Sequence, residues 1–145
     1  MPEQNNIATC IVKPSEGTII APDSYAHNMD LVDVRIAEGV TEIGDRAFSY
    51  CKNLRRVLIP SSVKRIGDSA FLACIRLNDL VIRQKQGIGV EEIDFFAFCG
   101  CTSLANFCIP DSVSSISFGA FLGCPNVTGD IPANILNYIC GKASF

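Results

Sequence analysis

The amino-acid sequence predicts a repeat solenoid, α/β or mainly β, in which about five coils of roughly 23 residues stack and share a parallel sheet. Short helical turns and a C-terminal capping helix complete this prediction. Two observations support it. A motif recurs along the chain, and each copy holds about eight apolar or small residues at fixed positions, too few to form a core alone. The composition agrees, since 48% of the 145 residues are hydrophobic and 19% are charged, as in globular rather than disordered proteins.

The repeat is clearest in residues 40–60, which read VTEIGDRAFSYCKNLRRVLIP. Further copies begin at Val63, Val90 and Val113, so successive copies start 23, 27 and 23 residues apart. A less regular copy precedes them. The four extra residues of the longer interval fall near residues 84–89, where glycine and polar residues predict a surface loop.

Residue types within one copy assign its local structure. Residues 54–59 end in a two-residue apolar alternation, which predicts a short strand, and Pro60 ends that strand because it lacks an N–H group. Residues 63–67 predict a second short extended segment, and residues 70–74 predict one helical turn. Equivalent strands of successive coils should pair in parallel, about 4.8 Å apart.

The recurring pattern V-x-x-I-G-x-x-A-F-x-x-C-x-x-L-x-x-V-x-I-P resembles the BspA-like (Treponema-type) leucine-rich repeats. The resemblance covers about four-fifths of the chain. It implies a right-handed, curved leucine-rich-repeat stack of the kind that serves adhesion or protein–protein contact in bacteria and some protists. It implies no catalytic residues. Many members of the family are secreted or anchored at the cell surface.

Both ends of such a stack need a cover, because an open coil exposes its core and a strand edge. Residues 8–13 predict an N-terminal capping strand. Apolar residues at helical spacing predict a capping helix over residues 132–140, although residues 131–132 also repeat the Ile-Pro of residues 109–110 and leave a half coil as the alternative. The predicted organisation is a single domain over residues 1–145, with caps at 1–16 and 130–145 and repeats over 17–135.

Half of the eight cysteines occupy one position of the repeat. The resemblance implies that side chains at this position face inward and that an Asn or Cys there hydrogen-bonds the backbone of the turn. The residues at this position are Asn28, Cys51, Cys74, Cys101 and Cys124. Coils about 4.8 Å apart fall within the Cα separation of disulfides, so distance alone does not exclude a bond. Equivalent Cβ vectors run parallel into the core, which favours a ladder of reduced thiols that behave as small apolar groups.

Chemical sites find little support in the sequence. A zinc site needs four converging ligands, and a linear ladder brings at most two sulfurs together. A nucleophile needs a base within hydrogen-bond reach, and the only histidine, His27, lies beside a predicted turn. We therefore expect a protein that is not an enzyme and that needs no cofactor or metal.

The outward side chains of the predicted sheet are the remaining candidates. The alternation in residues 54–59 buries Val57 and Ile59 and turns Arg56 and Leu58 outward. Across the coils, Leu58, Val81 and Cys108 then form an apolar stripe flanked by mixed charge, which a purely solvated sheet would not need. The alternative is that strand propensity alone explains the stripe. The candidate partner-binding residues are Arg35, Arg56, Leu58, Asp79, Val81, Asn106 and Cys108.

The functional hypothesis is a non-enzymatic module that presents this sheet face to a protein partner or to a second copy of itself. The alternatives are a small thiol- or metal-binding protein that uses Cys99, Cys101 and Cys108, and a secreted effector or adhesin-type fragment. The formal net charge of −3 gives no basic footprint for nucleic acid, and no apolar run is long enough to insert into a membrane. The first residues do not resemble a signal peptide, so the expected location is cytoplasmic, with unconventional secretion left open.

Overall fold

The computed structural model describes residues 9–127, and these residues form a stack of coils in which short parallel strands alternate with turns. In chain order the strands are β1 (Cys10–Val12), β2 (Ile19–Ile20), β3 (Asp33–Ile36), β4 (Glu42–Ile43), β5 (Arg56–Ile59), β6 (Arg65–Ile66), β7 (Asp79–Ile82), β8 (Glu92–Ile93), β9 (Ala105–Phe107), β10 (Ser115–Ile116) and β11 (Asn126–Val127). The predicted solenoid of about five coils with a parallel sheet is confirmed.

The first sheet has the strand order β1-β3-β5-β7, and every pair in it is parallel. Residues one coil apart lie opposite each other, as in the series Val34, Val57 and Leu80. These three side chains are buried, because period-2 alternation directs every second residue into the core. The N-terminal strand β1 pairs with β3 and covers the start of this sheet, where the sequence predicts a capping strand.

The second sheet has the order β10-β8-β6-β4-β2 and contributes two residues per coil. Its inward position is isoleucine in all five strands, and each of these isoleucines is buried: Ile20, Ile43, Ile66, Ile93 and Ile116. The core therefore lies between the two sheets and a third side of the coil, which consists of turns.

That third side, the turn segments (residues 21–28, 44–51, 67–74, 94–101 and 117–124), contains no helix within the described part of the chain. The prediction of short helical turns is wrong at this point. Each segment holds two residues with left-handed backbone, four positions apart, and such residues interrupt a right-handed helix. These pairs are Asp23 and His27, Arg46 and Tyr50, Ser69 and Ala73, Phe96 and Gly100, and Gly119 and Gly123.

The left-handed residues also redirect the backbone hydrogen bonds. In the second coil, Ala47 N–H donates to the Gly44 carbonyl within the same segment, at 3.2 Å. The next N–H group, from Phe48, donates instead to the Ala70 carbonyl of the following coil, at 2.7 Å. Because donors alternate between their own segment and the next coil, the turn segments tie adjacent coils together as a third hydrogen-bonded ladder.

The longer third coil accommodates its four extra residues in a tight β-hairpin rather than an open loop. Lys85 and Ile88 exchange both backbone hydrogen bonds, at 2.8 and 2.9 Å. Between them, Gln86 and Gly87 have φ angles of 52° and 76°, which is typical of a type I′ turn. Beyond this hairpin the first sheet is interrupted, since β9 pairs with β11 and not with β7.

One aromatic ring from each coil stacks along the centre of the core. The ring centroids of Phe48 and Phe71 lie 5.1 Å apart, and those of Phe71 and Phe98 lie 5.1 Å apart, with nearly parallel planes. Tyr25 and Phe121 extend the stack at its two ends, at 5.2 and 5.3 Å. The spacing follows the strand separation of a parallel sheet, so the repeat length fixes the aromatic packing.

The C-terminal predictions fall on residues that the structure does not describe. The capping helix predicted over residues 132–140 and its alternative, a half coil, both lie outside the described residues.

Candidate functional site

The outer face of the first sheet carries two columns of side chains that strand register places side by side. The polar column consists of Asp33, Arg56 and Asp79, and the apolar column consists of Ile11, Arg35, Leu58 and Val81. The sequence placed Arg35, Arg56, Leu58, Asp79 and Val81 in these same two columns, and the structure brings these five together.

The charged side chains of the polar column pair with neighbouring residues. Arg56 Nε lies 3.1 Å from a carboxylate oxygen of Asp79 in the next coil. At the other end, the Thr9 hydroxyl donates a hydrogen bond of 3.3 Å to Asp33. Exposed ion pairs of this kind contribute little to stability, about 0–1 kcal/mol. Their effect here is to leave few unpaired charges in the polar column.

The side chains of the apolar column are less fully covered or paired than those of the polar column. The side chain of Ile11 is 57% exposed, while Leu58 and Val81 are half-buried. Arg35 is exposed between them and has no carboxylate within 4.0 Å among the described residues. Sequence reasoning predicted the strand over residues 8–13 but missed Ile11 as a member of this column, because β1 lies outside the repeat and the repeat does not fix its register against β3.

A groove of about 270 Å³ lies at the carboxyl ends of the strands that carry this column. Its walls combine apolar surface with three charged side chains, and the lining residues are Ile11, Arg35, Ile36, Ala37, Glu38, Leu58, Pro60 and Arg83. Arg83 follows β7 directly, and its backbone N–H donates to the Ile59 carbonyl at 2.9 Å, which fixes its position beside the groove.

Two predicted residues belong to the part of the chain beyond the inserted hairpin, where the ladder of the first sheet does not continue. Asn106 belongs to β9 and Cys108 follows it, and β9 forms no ladder with β7 in the described chain. The stripe from Leu58 to Val81 therefore does not continue in register to Cys108. The physical reason is the inserted hairpin, which lengthens the third coil and interrupts the hydrogen bonding of the first sheet.

The cysteine position forms a ladder of reduced thiols, each bonded to the aromatic position of the preceding coil. The four Sγ atoms lie 3.1–3.2 Å from these carbonyl oxygens, in the pairs Cys51 with Tyr25, Cys74 with Phe48, Cys101 with Phe71, and Cys124 with Phe98. All seven cysteines of residues 9–127 are free. In the first coil, Asn28 instead accepts a hydrogen bond from the Asp30 N–H group at 2.9 Å.

The surroundings raise the pKa of three thiols and lower the pKa of Cys124, mainly through its hydrogen bond with Cys101. Burial raises the pKa of Cys51 to about 12. Hydrogen bonds with Cys124 and Cys74, together with burial, raise the pKa of Cys101, and burial raises that of Cys99. Among the described residues, no three His, Cys, Asp or Glu side chains are placed to hold a metal ion. The thiols of the ladder therefore serve to fill the core and to donate hydrogen bonds between coils.

The outward face of the second sheet is occupied by a charge cluster. Arg65 bonds Glu42 at 2.7 Å, Asp45 at 3.2 Å and also Asp94, so one guanidinium joins three coils. Partial burial lowers the pKa of Arg65, but the hydrogen bonds to Asp94 and Asp45 raise it by more, and the group stays charged. This cluster is internally paired and offers few free groups to a ligand.

A second exposed apolar surface lies on the turn segments of the last two described coils. Phe95 and Phe118 are 47% and 50% exposed and occupy equivalent positions in adjacent coils. In the second and third coils the same position is Asp45 and Asp68. Sequence reasoning missed this pair, although aligning the coils at this position would have found it. No helix in the described part of the chain is long and apolar enough to cross a membrane.

A family model described as BspA type leucine rich repeat region matches residues 18–143 in six copies. Comparison with curated proteins finds no significant match. Among solved structures, the pneumococcal vaccine antigen PcpA is similar with a TM-score of 0.71 and 23% identity over 86% of this chain and 30% of that chain. A leucine-rich repeat protein from Bacteroides ovatus has a TM-score of 0.64 and 23% identity over 94% of this chain and 41% of that one.

A third similar structure, a leucine-rich repeat protein from Bacteroides capillosus, has a TM-score of 0.55 and 24% identity, and the match covers 85% of this chain and 77% of that one. At these identities the likeness shows the fold. The chain spans less than half the length of the first two structures.

Proposed function

The chain belongs to the BspA-type leucine-rich repeat family, and from this we propose that it is a non-enzymatic module that binds a protein partner with the outer face of its first sheet. Proteins of this repeat family typically act in protein interaction or adhesion. The single observation that carries the proposal is the apolar column Ile11, Arg35, Leu58 and Val81, held in register across four strands.

Three features of the face support this role. Isolated exposed apolar residues are ordinary on protein surfaces, but a contiguous column beside a groove is characteristic of interaction sites. The polar column beside it supplies a rim in which Arg56 and Asp79 are already paired. The second sheet differs, since the ion pair of Arg65 with Glu42 occupies the middle of its outward face.

Affinity capture from a native lysate tests the proposal, with the wild-type chain compared with the double variant Leu58→Glu, Val81→Glu. Two buried carboxylates in the interface should reduce recovery of the partner at least tenfold, because their desolvation is not compensated. Circular dichroism should remain unchanged, since both side chains point away from the core.

A matched control places the same substitution on the other apolar surface, as Phe95→Glu, Phe118→Glu. This variant should retain the partner. If the phenylalanine variant loses the partner and the sheet variant keeps it, the binding face has been assigned to the wrong side of the coil. If the partner is a second copy of the chain, the sheet variant should sediment as a monomer where the wild-type chain does not.

A further inference from the structure

The groove at the carboxyl ends of the first-sheet strands has a charge pattern that selects among protein partners. Resting on the proposed function, we infer that it binds an acidic segment of the partner: an extended stretch in which carboxylates flank an aliphatic residue. The aliphatic residue packs between Ile11 and Leu58, and the carboxylates bond Arg35 and Arg83.

The first argument is the state of the arginines. Four of the seven arginines in the sequence have a side-chain partner in the described chain: Arg46 with Asp23, Arg56 with Asp79, Arg65 with its three carboxylates, and Arg76 with Asn53. Of the three without a hydrogen-bonded or ionic side-chain partner in residues 9–127, two line this groove. A guanidinium presents five donors in a planar fork that matches a carboxylate in two-point contact.

The second argument is the setting of Arg35. Register places it between Ile11 and Leu58, so its aliphatic stem extends the apolar surface while its charged head stays in solvent. A ligand that covers this column must pair the guanidinium, because burying an unpaired charge is costly. An acidic residue beside an aliphatic one meets both requirements, and a basic residue would meet neither.

The third argument concerns dimensions and net charge. From β1 to β7 the groove and column span three strand separations, about 14 Å, which about four or five extended residues cross. Glu38 is the one carboxylate among the lining residues, and no salt bridge joins it to either arginine. The lining therefore carries two positive charges against one negative charge.

Peptide selection tests the inference directly. A phage library of random 12-residue peptides is panned against the full chain, against the charge-reversed variant Arg35→Glu, Arg83→Glu, and against Leu58→Glu, Val81→Glu. The wild-type chain should enrich peptides with Asp or Glu around an aliphatic residue, and the charge-reversed variant should enrich basic peptides. Selection without charge preference, the same peptides on both proteins, or no enrichment over the Leu58→Glu, Val81→Glu background would each overturn the inference.

The selected peptide, carrying fluorescein, then gives affinities by polarisation. Arg35→Ala and Arg83→Ala should each weaken binding roughly tenfold, as expected for loss of a charge-assisted hydrogen bond. Glu38→Gln should strengthen binding about twofold, a gain that misfolding cannot produce. Affinity should also fall as salt rises from 50 to 300 mM, because the exposed charges are screened. An unchanged affinity in both arginine variants contradicts the proposed contacts.

Two other occupants are distinguished in the same experiments. If a second copy fills the groove, the wild-type chain should dimerise in sedimentation and the charge-reversed variant should not. If the chain's own residues 1–8 fill it through Glu3, Glu3→Gln should strengthen peptide binding more than Glu38→Gln does. Either result overturns the acidic-partner inference. The proposed function is tested separately. It would be contradicted only if capture of the partner did not depend on Leu58 and Val81.

Discussion

The Sγ atom of Cys74 lies 3.2 Å from the carbonyl oxygen of Phe48, so a thiol of the third coil donates a hydrogen bond to the aromatic position of the second. Both residues are fully buried. The same contact recurs between every successive pair of described coils. A cysteine at this position therefore fills space in the core and adds a second, inter-coil hydrogen bond to a carbonyl that already accepts one from the backbone of its own coil.

Replacing Cys74 by alanine should lower the free energy of unfolding by about 1–3 kcal/mol, because it leaves a cavity and removes the hydrogen bond from the thiol to the Phe48 carbonyl. Cys74→Ser should cost less than alanine, since a hydroxyl can donate to the same oxygen. Urea denaturation followed by circular dichroism measures both. Cys108→Ala is the control, because Cys108 is exposed. Equal losses at positions 74 and 108 would contradict the role given to the thiol.

Replacing Phe71 by alanine should reduce the free energy of unfolding by about 3–5 kcal/mol, a large part of the stability of an ordinary domain. The ring lies in the middle of the stack, with neighbours on both faces 5.1 Å away. Phe118→Ala, at a half-exposed ring, should change stability by less than about 1 kcal/mol. Chemical denaturation of the two variants makes the comparison, and a Phe118 effect as large as that of Phe71 would be inconsistent with this core.

Replacing Gly44 by alanine should destabilise the protein through steric contact rather than backbone strain. A Cβ at this position would lie 2.5 Å from the Ile20 carbonyl oxygen and 2.8 Å from the Pro22 nitrogen, both backbone atoms of the preceding coil. We expect a loss of about 2–4 kcal/mol, because the two coils would have to separate. Gly39→Ala is the matched control: its φ angle is 91° but nothing lies within 4 Å of the added atom. It should cost only about 1 kcal/mol, and the opposite ranking in thermal unfolding would refute the steric explanation.

The stability of the protein should fall at alkaline pH in part through Cys51. Burial raises the pKa of this thiol from 9.0 to about 12, so the unfolded chain releases the proton at a lower pH than the folded one. The contribution is complete below pH 9 and is lost as pH rises from 9 towards 12, at about 1.4 kcal/mol per pH unit. Urea midpoints measured from pH 7 to 11 should fall more steeply for the wild-type chain than for Cys51→Ala. Parallel curves would show that this thiol does not titrate with folding.

Thiol labelling should separate the cysteines by exposure. Cys108 is exposed and should react with N-ethylmaleimide first, whereas Cys51, Cys74 and Cys101 are buried and should react only when the chain unfolds. Mass spectrometry after brief labelling at pH 8 identifies the modified residue. Cys108→Ser should remove the fastest labelling among the cysteines of residues 9–127. Fast labelling of Cys99 or Cys101 would instead favour the thiol-protein alternative.

The repeat made the fold and most of the outer face predictable, for a physical reason. Successive coils have the same length, so Arg56 must lie opposite Asp79 and Leu58 opposite Val81 once the strands pair in parallel. The register argument ends where neighbouring coils differ in length. Beyond the hairpin of the third coil, β9 forms no hydrogen-bonded ladder with β7, so strand register does not extend the column to Cys108.

The backbone conformation of the turn segments was the second feature that the sequence did not predict. Residues 70–74 have the apolar spacing of a helical turn, but Ser69 and Ala73 adopt left-handed angles and their N–H groups bond the next coil. Neither serine nor alanine signals such angles, because the neighbouring coil imposes them. The exposed residue Ile11 was missed for a related reason, since it reaches the face from a strand outside the repeat.

The interruption between β7 and β9 also has a mechanical consequence. A force pulling the two ends of the described stack apart is borne by three parallel series of hydrogen bonds up to β7, but across the hairpin boundary only the second sheet and the turn segments carry it. Rupture should start at this boundary, which lies beside Arg83 and the groove. Force transmitted through a bound partner would therefore break the contacts at this boundary first. The first three coils would then separate from the last two while staying folded.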